Sequence, residues 1–533
     1  MPTDMDLRVD QTDRVPGARR AKLAALLPDV PAASVPVHEQ LEISSLAYSS
    51  GQVTPGALFF AIRGEKTDGN LFVFDAIEKG AIAIVSERSR PWGDSWSGLF
   101  EHAGRVPDRH TVPSGVAWIQ VRETRKALAA ASANFYGRPG EALELVGITG
   151  TNGKTTTSYL VDSILREAGR TTGLFGTIAY RTPRASVTAS TTTPESLDMQ
   201  RFLAEVRDAG GTAAVMEASS HALAMDRLWG LQFAVAVFTN LTRDHLDYHK
   251  TFDDYFAAKK RLFEGTGAGP AKVGVVNTDD SYGKKLAGVA GRTVTYGLTN
   301  GAQVIARGYQ LGFQGLHFTA QTPAGKIEIR SPLVGRINIY NILAAIGAGV
   351  ALEIPLEVVA RGISQVSSVP GRFERVDCGQ PFLVVVDYAH TDDALQNLLA
   401  TAKELCHGGR IITLFGCGGD RDRAKRPLMG EAAGRASDLV VLTSDNPRSE
   451  DPLLIMNDAM VGLQRTRTRY RVEADREKAI AIALDEARAG DVVLLAGKGH
   501  ETYQVMKDRV IDFDDREVAR RLLLNRGYGA ETT

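Results

Sequence analysis

The chain has 533 residues, 44% of them hydrophobic and 23% charged, a composition that suits a folded globular protein of about three or four domains. A formal net charge of −1 gives no general attraction to nucleic acid or an anionic membrane, so any polyanion must be held by local arrangement. Three cysteines (Cys378, Cys406 and Cys417) are too few and too scattered for a disulfide framework or a zinc site, and suit a reducing compartment.

Residues 1–20 carry Asp4, Asp6, Asp10 and Asp13 and no apolar run, so they are expected to form a flexible tail and not a signal peptide. Residues 21–120 hold strand-like runs Leu58–Ile62 and Ala81–Val85 around a helical stretch, Val73–Lys79. Ser89–Ser114 has the composition of a surface loop, with Trp92 and Trp96 as its anchors. A second region, 121–366, opens with a helix Thr124–Tyr136 and a strand Leu143–Ile148. It then alternates the strands Ala213–Met216, Ala234–Phe238 and Val273–Val276 with helical segments such as Phe256–Phe263, and ends at a linker near Ser364–Pro370. The third, 367–533, repeats the alternation with strands Phe382–Val386, Ile411–Phe415, Leu439–Thr443 and Val492–Ala496, separated by helices such as Asp392–Leu405 and Lys478–Ala489. Such alternation predicts an α/β protein built on parallel sheets. Its three domains are a small α/β N-terminal domain, a central P-loop domain resembling ATPases, and a C-terminal Rossmann-like domain. The longest apolar run, Ile342–Leu352, falls short of the roughly 18 residues that suggest a membrane span, so a cytoplasmic protein is expected.

Residues 145–157 read Leu-Val-Gly-Ile-Thr-Gly-Thr-Asn-Gly-Lys-Thr-Thr-Thr. The stretch Gly147 to Thr155 is read as a G-x-x-x-x-G-K-[ST] loop, with Gly147 as first glycine and Gly153 as second, between a strand and a helix. Backbone N–H groups of such a loop turn toward phosphate oxygens at the positive end of the helix, Lys154 neutralises the outer phosphates, and the Thr155 hydroxyl ligates Mg²⁺. Glu217, ending the strand that starts at Ala213, supplies a second acid for the metal at the sheet's C-terminal edge. The reading is a Mg²⁺-ATP enzyme.

With these residues in place the chain resembles the Mur ligases, from about residue 46 onward. The motifs stand in the family's order: 150–156 (GTNGKTT), 216–221 (MEASSH), 240–249 (NLTRDHLDYH), 387–390 (DYAH), 416–422 (GCGGDRD), 445–448 (DNPR) and 496–501 (AGKGHE). The resemblance implies phosphorylation of a substrate carboxylate by ATP, then attack of an amine on the acyl phosphate. It implies that Gly150, Thr151, Asn152, Gly153, Lys154, Thr155, Thr156, Asn338, Arg372, Asp387 and His390 bind ATP, with Asn341 and Tyr388 beside them. It implies metal ligation by Thr155, Glu217 and His245, and by Lys259 once CO₂ has carbamylated its amine. By residue type alone Lys259 reads as a solvated helix lysine. Lys260 leaves a one-residue ambiguity, which the spacing to Leu262-Phe263 resolves toward Lys259. Lys154, Lys259, His245 and Glu217 form the implied catalytic set.

Within the family the chain is most similar to the enzyme that adds the third residue of the peptidoglycan stem. Ser50, Glu65, Lys66, Thr67, Thr192, Thr193, Ser219 and Arg227 are then expected to bind UDP-MurNAc-L-Ala-D-Glu. Ser49 and Gly51 depart from the family's Asp and Arg, Thr191 from a common Asn, Met225 from a Gln, and Asp392 from a Pro. Arg421, Asp445, Asn446, Pro447, Arg448, Gly497 and Glu501 are expected to bind meso-diaminopimelate, whose far end carries a carboxylate that lysine lacks and that an arginine fork recognises. The same resemblance implies a monomer acting on small molecules, without nucleic acid or membrane. The alternatives are the same reaction with L-lysine, a ligase like folylpolyglutamate synthase, and a P-loop NTPase switch.

Overall fold

The computed structural model describes residues 19–30, 38, 40–64, 67–91, 93–104, 111–312, 315–406 and 408–529. The expected tail (save Arg19 and Arg20), Glu65, Lys66 and Trp92 lie outside the described residues.

Three sheets, parallel except at the edges of the second and third, carry the fold. The first has four strands in chain order, Ser45–Ala47, Ala57–Phe60, Ala81–Ser86 and Ala117–Gln120. The stretch 89–114 is not wholly irregular: it holds a 3-10 turn Gly93–Trp96 and a helix Ser97–His102, and Trp96 packs edge-on to Trp118 with ring centroids 5.7 Å apart. Helix Thr124–Phe135 buries Ala127, Leu128 and Ala131 in the core of this first sheet, with Leu58, Phe60 and Val85.

The central sheet has eleven strands. Strand Glu144–Thr149 lies in its middle, between Ala213–Glu217 and Val235–Phe238, all parallel. Alternate residues of these strands enter opposite cores. Val146, Ile148, Val215 and Val237 meet the helices Lys154–Glu167 and Arg336–Ala351. Leu145, Ala214, Met216 and Phe238 meet Phe202, Leu203 and Phe263. Both faces are covered, so the strands are apolar throughout instead of alternating. An antiparallel extension not foreseen from the sequence, Val304–Gly312, Gly315–Thr322 and Gly325–Ser331, widens one edge.

The third sheet runs Glu374–Arg375, Leu383–Asp387, Val492–Ala496, Ile411–Phe415, Leu439–Leu442 and Arg469–Val472, parallel except for the first. The last strand in sequence is inserted between the first two parallel ones. Order therefore reverses there, and the loops after the strand ends open a crevice of the kind that binds ligands in doubly wound sheets. Beneath it Arg476 makes a fully buried bidentate pair with Asp515 and donates to the carbonyls of Ser444 and Ala496, at 3.3 and 3.0 Å. Those carbonyls sit where two of the crevice loops begin. No helix among the described residues is long and apolar enough to cross a membrane.

Candidate active site

The phosphate loop is tighter than the sequence pattern suggested. Gly147 lies inside strand Glu144–Thr149, where Leu262 and Phe233 press on its Cα. Five residues separate it from Gly153, one more than the pattern allows. The turn itself is Gly150-Thr151-Asn152-Gly153, with Lys154 opening the helix. Gly153 has φ +86°, and a Cβ there would lie 2.3 Å from Asn341 Oδ1, so only glycine fits. Asn341 is in turn held by Asn338, whose Oδ1 accepts from its Nδ2 at 2.8 Å. Thr156 is buried in the helix's first turn.

Lys154 donates to the loop's own carbonyls, Gly150 O at 2.9 Å and Thr151 O at 2.8 Å. Burial lowers its pKa, opposed by Glu217 and Asp244. Thr155 Oγ1 donates to Glu217 Oε2 at 3.1 Å, and Glu217, buried at the strand end, also accepts from Thr177 N and Oγ1 at 2.9 and 3.0 Å. Among the described residues no three His, Cys, Asp or Glu side chains converge as a metal cage. One hydroxyl and one carboxylate, both oxygen donors, fit Mg²⁺, which keeps waters and takes its remaining ligands from substrate phosphates.

Lys259 is buried, unlike a solvated helix lysine, and its Nζ donates to Gly150 O at 2.7 Å and lies 4.4 Å from the centroid of the Tyr255 ring. Burial and the charge of Lys154 hold its pKa well below that of an ordinary lysine. Lys260, one residue on, turns outward to pair with Glu264. His245, in the left-handed region at φ 55°, sits with Nε2 3.3 Å from Asp244 Oδ2, and its ring contacts both His221 and Tyr255. Burial lowers its pKa against the pull of Asp244.

The third domain closes over this edge. Arg372 Nη2 donates to Thr155 Oγ1 at 3.1 Å, and its guanidinium lies 4.9 Å from the Tyr388 ring centroid. Asp387 accepts from the backbone of Phe373 and Ala389, at 2.7 and 2.8 Å, and so fixes the turn that carries Arg372. The His390 ring packs on Tyr388.

On the other side of Glu217 lie Thr192, Thr193, Ser219 and Arg227. Thr193 Oγ1 donates to Glu217 O at 2.7 Å, Ser219 N donates to Thr193 Oγ1 at 3.1 Å, and Arg227 donates to Thr193 O at 2.9 Å. Thr192 Oγ1 lies 3.2 Å from Thr177 Oγ1. Ser50 and Thr67 belong to first-domain loops: Ser50 starts the turn Ser50–Gln52, and Thr67 O accepts from Gly64 N at 2.8 Å.

A cleft of about 660 Å³ between the central and third domains is lined by His221, Asp244, His245, His390, Arg421, Asp445, Asn446, Arg448, Gly497 and Glu501, among others. Pro447 shapes its wall, its carbonyl lying against Gly419. Asn446 Nδ2 donates to Glu501 Oε2 at 2.8 Å. Arg448, with φ 53°, donates to Gly419 O at 2.8 Å. Burial, then the neighbouring Arg421, lower the pKa of its guanidinium. Gly497, at φ +113°, stands where a Cβ would come within 2.8 Å of Asp445 Oδ2. The sequence reading passed over Lys498, which is fully buried with Nζ 3.0 Å from Glu501 Oε2 and 3.9 Å from Asp445 Oδ1. The signal was there, a lysine between two glycines in the motif that supplies Gly497 and Glu501. It also gave no role to Asp244 and His221, although both stand within the motifs 240–249 and 216–221.

Fold and site together define a three-domain α/β protein that holds a phosphate loop against an acid-and-arginine cleft. Three family profiles match in succession: "Mur ligase family, catalytic domain" over residues 42–136, "Mur ligase middle domain" over 148–349 and "Mur ligase, glutamate ligase domain" over 371–499. The chain is 55% identical over 506 residues to the Solibacter usitatus protein named UDP-N-acetylmuramoyl-L-alanyl-D-glutamate–2,6-diaminopimelate ligase, covering 95% of this chain and 98% of that protein. A solved structure bearing the same protein name superposes with a TM-score of 0.64 at 30% identity, covering 95% of this chain and 99% of that one. A Mycobacterium tuberculosis folylpolyglutamate synthase complexed with ADP and AMPPCP shares the fold, with a TM-score of 0.58 at 19% identity over 70% of this chain and 92% of its own. The chain belongs to the Mur ligase family.

Proposed function

We propose that this protein is an ATP-dependent ligase that joins meso-diaminopimelate to UDP-N-acetylmuramoyl-L-alanyl-D-glutamate in cytoplasmic peptidoglycan precursor synthesis, acting as a monomer. The observation that carries the reading is the opening of one cleft onto both His245 and the Arg421, Asp445, Arg448 and Glu501 group. A carboxyl end delivered past Thr193, Ser219 and Arg227 meets the phosphate loop on one side and an amine from the cleft on the other.

The first step brings two anions together, so its barrier falls with the cations around it. Lys154 exchanges its loop carbonyls for phosphate oxygens, and Arg372 supplies a second fork from the third domain. Mg²⁺ held by Thr155 and Glu217, and a second ion held by His245 and a carbamate on Lys259, would supply further positive charge to the phosphates and the carboxylate. A neutral, buried Lys259 amine is the form that adds CO₂, and its surroundings favour that form. The substrate carboxylate attacks the γ-phosphorus and ADP leaves. The amino acid's amine then attacks the acyl carbon, and phosphate departs from the tetrahedral intermediate.

In the cleft, Arg421 and Arg448 are neighbouring cations that form no salt bridge among the described residues, whereas Asp445 and Glu501, which already face Lys498, suit an ammonium. That pairing fits the far end of meso-diaminopimelate and leaves arginine unpaired when lysine binds. Phosphate release from purified protein with ATP, the UDP-linked dipeptide and either amino acid tests the proposal. Turnover that needs both the dipeptide and diaminopimelate supports it. ATP hydrolysis indifferent to either, or equal use of L-lysine, overturns it.

A further inference from the structure

We propose that Asp393 is a positioning residue, a clasp by which the third domain holds the phosphate loop and the His245 segment in register. The inference rests on the ligase function proposed above.

Asp393 lies in the first turn of helix Asp392–Leu405, which Thr391 caps. Its Oδ2 accepts from Asn152 Nδ2 at 2.7 Å, from Thr242 Oγ1 at 2.9 Å and, within its own helix, from Asn397 Nδ2 at 3.3 Å. Asn152 belongs to the phosphate loop, and Thr242 to the segment that leads to Asp244 and His245. Those two stretches are already laced together. Thr151 N donates to Asn240 O at 2.8 Å, Asn152 N to Asn240 Oδ1 at 2.9 Å, and Thr242 N to Thr151 Oγ1 at 3.0 Å. One oxygen from another domain thus grips both sides of that lacing.

The placement is costly for an acid. Burial raises the pKa of Asp393, the charges of Asp392 and Asp244 raise it further, and no Lys or Arg forms a salt bridge with it among the described residues. An acid beside a site for a triphosphate also repels the ligand. What a carboxylate offers in return is a stronger acceptor than a neutral group, in a helix first turn where negative charge is favoured. Its two cross-domain donors are neutral side chains of the loop and segment, so its action is on the protein. With the clasp made, Lys154 and Thr155 at the start of their helix and His245 in the segment after strand Val235–Phe238 keep a fixed spacing while the third domain presents the amino-acid cleft.

The test uses the full chain carrying Asp393→Ala, Asp393→Asn, Thr242→Val, and Asp393→Ala with Thr242→Val, with two readouts. Amide hydrogen exchange of residues 150–156 and 240–245, with and without Mg-ADP, needs no turnover and so reports the clasp even if the ligase reading fails. Steady-state phosphate release gives kcat and the KM for each substrate. Asp393→Ala is expected to speed exchange in both segments. It should also cut kcat on the order of tenfold, with the KM for the UDP-linked substrate within about twofold. Asp393→Asn, which keeps an acceptor oxygen, should recover part of the loss. The double variant should be no worse than Asp393→Ala alone, the non-additivity of groups that share one contact. Exchange unchanged in Asp393→Ala overturns the proposal, as do strictly additive losses in kcat.

Discussion

Arg372 and Thr155 lie in different domains, yet the guanidinium donates to the threonine hydroxyl, which in turn donates to Glu217, so a third-domain cation, a loop hydroxyl and a buried acid form one hydrogen-bonded line. Arg372 Nε is buried and without a partner among the described residues, which leaves donor capacity in the fork. A carboxylate and a triphosphate brought to this line need that charge most when phosphoryl transfer concentrates negative charge between them.

Arg372→Ala is therefore expected to lower kcat by about a hundredfold, with a smaller effect on the KM for the UDP-linked dipeptide. Arg372→Lys, a point charge without the fork, should recover only part of it. Steady-state phosphate release measures both. An Arg372→Ala enzyme with full kcat would dissociate the Arg372–Thr155 contact from the chemistry.

Much of this arrangement was legible in the sequence because it is local. A strand, four loop residues ending in Gly153, and a helix with Leu160, Val161, Ile164 and Leu165 on one side specify a phosphate site without tertiary knowledge. The parallel sheets were legible for a related reason: strands buried on both faces read as unbroken apolar runs. The antiparallel extension 304–331 was missed because its strands mix polar and apolar residues and are covered on one side only. Asp393 and Lys498 were missed because their meaning is tertiary. A helix first-turn acid and a lysine among glycines look ordinary until Asn152 and Thr242, or Asp445 and Glu501, are placed against them. Lys259 falls between: residue type gives a surface lysine, and only burial against Gly150 and Tyr255 gives its amine a reason to lose its proton.

Lys259→Arg should abolish most activity, since a guanidinium forms no carbamate and stays charged beside Lys154. Native-state mass spectrometry of the wild type in bicarbonate buffer should find the added mass of one CO₂, absent from Lys259→Arg. The sign with pH is fixed by the lowered pKa. The neutral amine prevails above the folded-state pKa, so carbamylation rises with pH from a lower threshold than an ordinary lysine would give. Equal activity of wild type and Lys259→Arg in bicarbonate buffer would remove the carbamate from the mechanism.

Two histidines at the junction of the central and third domains give stability a defined slope with pH. Burial pushes His390 down to about 4 and His500 down to about 3, and the charge of Arg372 lowers both further. Both are neutral in the fold, whereas the unfolded chain protonates them near the ordinary histidine value of about 6.5. Stability from this source is intact above that value and is lost as pH falls from there toward 4. Thermal unfolding should show Tm dropping between about pH 7 and about pH 5, with a shallower drop in His500→Gln. A His500→Gln profile that parallels the wild type would place the loss elsewhere.

Arg448 offers the sharpest test of substrate choice, because its strain and its charge have the same explanation. A non-glycine residue at φ 53° costs backbone energy, and this one also sets a half-buried cation near a second, Arg421. Neither cost helps the fold, but both are recovered if a carboxylate arrives between the two forks. Arg448→Ala should therefore raise the KM for meso-diaminopimelate by about a hundredfold, the size of a lost bidentate pair, while kcat changes much less. L-lysine, which has no far carboxylate, should be used no worse than by the wild type, and relieving the two-cation repulsion should improve it. Competition kinetics with both amino acids reads the ratio directly. If Arg448→Ala leaves the ratio of kcat/KM values unchanged, the arginine is a structural brace for the loop that begins at Asp445, and selection must come from Arg421 or from the acids across the cleft.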